Sequence, residues 1–132
     1  MEMEYLSRDL ENRKLNFFLA FIGIVGMSFA ACIYFPWWIV AFCSAFPLFI
    51  IPMSARSAFI CGFLALFCLW SGMSFWISQN NEHLLAQQLS ILIMKVGNPL
   101  ALVLLTGFVG GLVGGFAALS GRYLRILILG NR

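Results

Sequence analysis

The chain has 132 residues, 62% of them hydrophobic and 10% charged, and a formal net charge of +3. Soluble domains carry roughly a quarter charged residues, and a chain this short cannot bury so much apolar surface in a water-facing fold. The positive charges flank apolar stretches, which fits membrane orientation and anionic lipid rather than a nucleic-acid surface.

Residues 1–14 read as a cytoplasmic amphipathic lead-in. Glu4 and Arg8, then Asp9 and Arg13, stand four residues apart, the spacing that sets opposite charges side by side on a helix. Met3, Leu6 and Leu10 form its apolar edge, and the segment is expected to lie on the membrane surface. A first span follows over 15–35, close to the ~20 residues that cross a bilayer core. The run Phe29-Ala30-Ala31-Cys32 has the form of a bacterial lipoprotein cleavage box. The residues after it lead directly into another apolar span, whereas a lipoprotein continues into a polar tether, so cleavage is not expected.

Tyr34, Phe35, Trp37 and Trp38 gather around Pro36, a tight hairpin at headgroup level on the outer face. A second span is expected over 37–53, with a kink at Pro47, which cannot donate to the carbonyl of Cys43. Pro52, Ser54, Arg56 and Ser57 mark a cytoplasmic turn, and a third span covers 58–77, ending in Phe75 and Trp76.

The polar run Asn80-Asn81-Glu82-His83 then forms a compact outer cluster. Asn80 or Asn81 can cap a new helix, with Glu82 near its positive end. That helix, over 82–96, lines up Leu85, Leu89, Leu92 and Val96 on one face and sets Gln87 and Ser90 away from it, which suits an interfacial helix on the outer face. Asn98 can cap the next helix and Pro99 suits its first turn. A fourth span runs over 100–119, followed by a basic tail in which Ser120 and Tyr123 serve as interfacial anchors. Arg8, Arg13 and Lys14, then Arg56, then Arg122, Arg125 and Arg132 put both termini and the middle loop in the cytoplasm. The fold class is therefore an all-α membrane protein with four transmembrane helices and one outer interfacial helix.

Span four carries the strongest local motif. Gly107, Gly111 and Gly115 recur every four residues, Gly110, Gly114 and Ala118 form a second row, and Gly121 extends the small surface. Glycine costs a helix roughly 1 kcal/mol against alanine. So many in one span point to close backbone approach, where van der Waals contact drives helix association. Two rows offer room for two neighbours. One could lie within the chain, for instance Gly23, Gly26 and Ala30 of span one, and the other could be a second subunit; packing within the chain alone is the plainer reading, and a pore-lining or ligand-facing surface the third.

No carboxylate, lysine or histidine falls inside any span, which disfavours proton-coupled transport and catalysis within the bilayer. His83, the only histidine, cannot make a metal site alone. Cys32, Cys43, Cys61 and Cys68 lie inside apolar stretches and read as small buried hydrophobes rather than disulfide or zinc ligands. No cofactor is expected.

Phe35-Pro36-Trp37-Trp38, Phe75-Trp76-Ile77-Ser78, Asn81-Glu82-His83 and the run from Gly110-Gly111 to Arg125 resemble small integral membrane proteins predicted in Bacteroidetes genomes. The resemblance covers most of the length and implies a bacterial inner-membrane location but no chemical activity. The glycine run before Arg122-Tyr123 is also superficially similar to a pattern in small fluoride channels. There the pattern opens the chain, whereas here it closes it. The expected role is a non-enzymatic accessory or scaffold subunit, held in the lipid bilayer and assembling with another membrane subunit or with itself. An uncoupled channel or carrier is the alternative.

Overall fold

A computed structural model describes residues 1–130, and Arg132 of the basic tail lies outside them. The described residues form five helices and no strand: α1 (Glu2–Tyr34), α2 (Ile39–Ile50), α3 (Ala55–Asn80), α4 (Leu84–Met94) and α5 (Pro99–Leu129). Three of them, α1, α3 and α5, are long and apolar enough to cross a membrane. The protein is thus an all-helical, membrane-type chain.

The helix boundaries differ from expectation in informative ways. The lead-in is no separate element, because α1 runs 33 residues without interruption, about 50 Å at ~1.5 Å per residue. The two expected ion pairs do form on it, Arg8–Glu4 at 3.0 Å and Arg13–Asp9 at 3.5 Å. No glycine or proline stands between Glu2 and Phe21, so nothing in the sequence interrupts the i→i+4 ladder where polar gives way to apolar.

At 12 residues, α2 is shorter than the expected 37–53, about 18 Å. It starts only after the Pro36 turn and stops one turn past Pro47, where the Ile51 N–H donates to the Pro47 carbonyl at 2.8 Å. Ile51 and Ser54 are extended. Arg56 lies in the first turn of α3 rather than in a loop, because Ser54 caps that helix by accepting from the Ser57 N–H at 3.4 Å.

Polar Ser78, Gln79 and Asn80 belong to α3, not to a loop. The chain leaves α3 through a left-handed cap in which Asn81 is the last half-helical residue and Glu82 (φ 50°) takes the place glycine usually fills. Glu82 N–H donates to the Gln79 carbonyl at 3.2 Å and His83 N–H to the Ser78 carbonyl at 2.9 Å, which satisfies two orphan carbonyls of α3. Asn80 and Asn81 therefore finish α3 instead of capping α4. Glu82 stands outside α4 and its first turn holds no acidic residue.

On α4 the buried positions are Ala86 and Ser90, while Leu85, Leu89 and Leu92 are exposed, as is Val96 beyond its end, so Ser90 faces inward against expectation. Its hydroxyl is satisfied by the Gln87 carbonyl at 2.9 Å. The expected start of α5 is observed: Asn98 Oδ1 accepts from the Leu100 N–H at 3.0 Å and Pro99 opens the helix. This helix continues to Leu129, beyond the expected 119, and carries Arg122 and Arg125 within it.

α1 and α3 run parallel, and α2 and α5 run against them. Gly23 of α1 sits opposite Pro47 of α2, the Cys61 thiol of α3 lies 3.7 Å from the Phe17 carbonyl of α1, and Gly62 of α3 faces Gly114 of α5. The buried core is built of small side chains (Ala20, Ala58, Cys61, Ala65, Ala118) with Ile24, Val40, Leu48 and Leu66. Such a core lets backbones approach closely where hydrocarbon outside offers no hydrophobic gain. Arg13, Arg56, Arg122 and Arg125 mark one end of the bundle, the basic end. α4 lies at the other.

Candidate functional site

The expected glycine face is buried along its whole length: Gly107, Gly110, Gly111, Gly114, Gly115, Ala118 and Gly121. Its partner is α3, running antiparallel. The Phe59 ring covers Gly115, the Phe63 ring covers Gly111, and the Ser71 side chain with the Phe67 carbonyl covers Gly107, each step of four residues on α5 matched by a step back along α3. The phenylalanine rings stack along α3, Phe59 on Phe63 at 6.2 Å and Phe63 on Phe67 at 5.9 Å. Phe116 and Phe108 of α5 close on Phe59 and Phe63 edge-on at 5.6 and 5.9 Å.

The second row is also used inside the chain. Gly110 lies under Trp70, Gly114 meets the Gly62 backbone and Leu66, and Gly121 meets the Ala45 backbone of α2. Neither row is covered by α1. Its small residues face elsewhere: a Cβ on Gly23 would meet only Pro47, and one on Gly26 would meet nothing within 4 Å. The suggested α1 partner is thus replaced by α3 and α2, and no free glycine row remains for a second subunit. The antiparallel match was present in the sequence, since Phe59, Phe63 and Phe67 repeat at the spacing of Gly107, Gly111 and Gly115.

At the basic end the arginines of α5 bond to backbone. Arg122 Nε donates to the Met53 carbonyl at 2.9 Å, and one Arg125 nitrogen donates to the carbonyls of Phe49 (2.9 Å) and Ile50 (2.7 Å). These carbonyls lie in the last turn of α2 and the extended stretch after it, where no helical N–H follows to donate to them. Cations are also favoured at a helix C-terminus, which carries partial negative charge. Arg122 additionally stands 5.1 Å from the Tyr123 ring centroid. Sequence reasoning assigned these arginines to topology alone. The cue it missed was a span ending early between Pro47 and Pro52.

At the α4 end the expected cluster is only partly assembled. His83 Nδ1 lies 2.8 Å from the Ser78 hydroxyl, which is 8% exposed. Asn80, Asn81 and Glu82 are exposed. Both Glu82 and His83 have left-handed backbone, so the group is a helix cap in geometry. Ser78 borders two cavities. One of about 170 Å3 lies between α3, α4 and α5, and another of about 210 Å3 is lined by Phe75, His83 and Pro99.

Among the described residues no three His, Cys, Asp or Glu side chains gather as metal ligands. Cys43 and Cys61 are buried and Cys32 half-buried, but Cys68 is exposed on the lateral surface, contrary to expectation. Comparison with protein-family models, curated proteins and solved structures gives no match.

Proposed function

We propose that the protein is a non-enzymatic accessory or scaffold subunit of a bacterial inner-membrane complex. Four passes, with both termini cytoplasmic and α4 interfacial on the outer side, make up its topology. The bacterial location rests on the resemblance to small Bacteroidetes membrane proteins. For the second pass, α2 supplies about 18 Å of helix and extended residues after it add roughly 3.3 Å each. Together these approach the ~30 Å of a hydrocarbon core. The arginine bonds to Phe49, Ile50 and Met53 support this reading, since backbone carbonyls at membrane depth need partners within the protein.

The observation that carries the subunit role is the overhang of α1. At about 100° per residue, Met3, Leu6 and Leu10 fall on the same face as Ile24 and Ser28, which are buried in the bundle. The packing stripe of α1 therefore continues past the basic end with nothing against it, leaving Met3 84%, Leu6 59% and Leu10 56% exposed. A second copy sharing the membrane cannot meet this stripe with its own, because each bundle lies on the stripe side of its α1 and the two would collide. A foreign subunit with a domain beneath the bundle fits.

Photo-crosslinking from Leu6 in native membranes, with the adduct identified by mass, tests this. One discrete foreign subunit is expected, and deletion of residues 2–10 should release it while the bundle stays folded. An assembly of unchanged size after that deletion would overturn the proposal. The uncoupled channel or carrier is the second reading, with the largely apolar crevice of about 170 Å3 between α3, α4 and α5 as its candidate opening.

A further inference from the structure

The basic end holds a cavity of about 350 Å3 between the first half of α1 and the turn that joins α2 to α3. Its polar lining is Asp9, Asn12, Arg13 and Asn16 of α1, with Ser54 and Ser57 opposite. Asn16 is half-buried and is the last polar residue before the apolar run that opens at Phe17. The cavity therefore sits where hydrocarbon gives way to headgroups.

Donors outnumber acceptors in it. The Ser54 hydroxyl donates to Ser57 Oγ at 2.9 Å, so the Ser57 hydroxyl proton is free to donate elsewhere. Arg13 meets Asp9 through Nε at 3.5 Å, which leaves its two terminal nitrogens unused, and the Asn12 and Asn16 amides have no partner among the described residues. Two further guanidinium groups adjoin. Arg122 Nε donates at 2.9 Å to the carbonyl of Met53, a lining residue, and Arg56 lies between Ser54 and Ser57 in the chain. Three cations thus stand against one carboxylate, and the positive end of α3 adds the same sign.

We propose that this cavity binds the phosphodiester of an anionic phospholipid from the leaflet at the basic end. Ser57, Asn12, Asn16 and the terminal nitrogens of Arg13 supply hydrogen bonds to the phosphate oxygens, while Arg56 and Arg122 supply the neighbouring charge. Basic pockets at the ends of membrane helices take such headgroups in general, and the volume lies at the low end of the roughly 300–1,000 Å3 of small-molecule sites. At ~100° per residue, the cavity residues of α1 lie roughly 100° around the helix from Met3, Leu6 and Leu10. The site is therefore independent of the scaffold role.

Native mass spectrometry of the full chain tests this, with the protein delipidated in mild detergent and titrated with phosphatidylglycerol or phosphatidylcholine of the same acyl chains. Phosphatidylglycerol should be held roughly tenfold or more tightly, since a net excess of two cations acts on its charge. Arg13→Gln and Asn16→Leu should each lower that preference by about fivefold while helix content and the unfolding midpoint stay near those of the parent. Lys14→Gln is the control, because Lys14 is a cation of the same helix turn that does not line the cavity; it should leave the preference unchanged. Equal retention of the two lipids would overturn the proposal, as would a preference that Asn16→Leu leaves intact or that Lys14→Gln lowers as much as Arg13→Gln. Displacement of the bound lipid by millimolar sodium phosphate would make free phosphate the ligand and overturn the lipid assignment.

Discussion

Replacing Gly114 by alanine is the sharpest perturbation of the glycine seam. A Cβ there would stand 2.5 Å from the Gly62 carbonyl oxygen and 2.8 Å from Leu66 Cγ and Cδ1, against an ordinary contact that begins near 3.4 Å. The nearest obstacle is backbone, so it cannot rotate aside as the Phe59 ring beside Gly115 can. Relief requires α3 and α5 to part by roughly 1 Å, which loosens the flanking Phe63–Gly111 contact, since dispersion falls steeply with such a gap. Overpacking of this kind costs typically 1–3 kcal/mol, while alanine regains up to about 1 kcal/mol of helix propensity. A net loss of about 1–2 kcal/mol is expected. Gly26→Ala is the matched control. It has open space around the new methyl and should gain about 0.5–1 kcal/mol. Reversible unfolding in mixed micelles reads both. Equal shifts for the two variants, or a gain for Gly114→Ala, would refute the close-contact reasoning.

Loss of the backbone cap at the end of α2 should also register. Arg125→Gln should destabilise by about 2 kcal/mol, because charge-assisted hydrogen bonds contribute roughly 1.5–3 kcal/mol and this site is partly open to solvent; an unchanged unfolding midpoint would contradict it. Glu82→Gly should stabilise by about 0.5–1 kcal/mol, since the left-handed backbone at φ 50° penalises any Cβ; the thermal midpoint reports it. Asn98→Ala should cost about 1 kcal/mol by removing the cap of α5, measurable in the same unfolding assay. In proteoliposomes, an imposed proton gradient should drive no solute accumulation, because no span holds a carboxylate, lysine or histidine. Reproducible gradient-driven uptake would direct attention to Glu82 and His83.

Apolar run length and charge placement made the membrane class legible, and the Asn98-Pro99 start of α5 could be read from cap chemistry. Gly107 to Gly121 were recognisable as a packing face, because so many helix-weakening residues in one span demand a reason. Packing within the chain was open to reading, but the instance suggested, Gly23, Gly26 and Ala30, set small on small, where the fold lays α3, with Phe59 and Phe63, and α2 against the glycines. The lead-in was separated from span one because polarity changes at Lys14, although backbone hydrogen bonding does not depend on polarity. Glu82 was read as favouring the start of α4, whereas the carbonyls at the end of α3 claimed that stretch as their cap. The roles of Arg122 and Arg125 depend on residues 69 or more positions away, a pairing that local pattern cannot reveal.

The four-pass topology is tested most directly by reporter fusions at three positions. Fusions after Arg56 and after Arg132 should both read cytoplasmic, and one at Asn81 should read external. A cytoplasmic Arg56 with an external C-terminus would contradict the account.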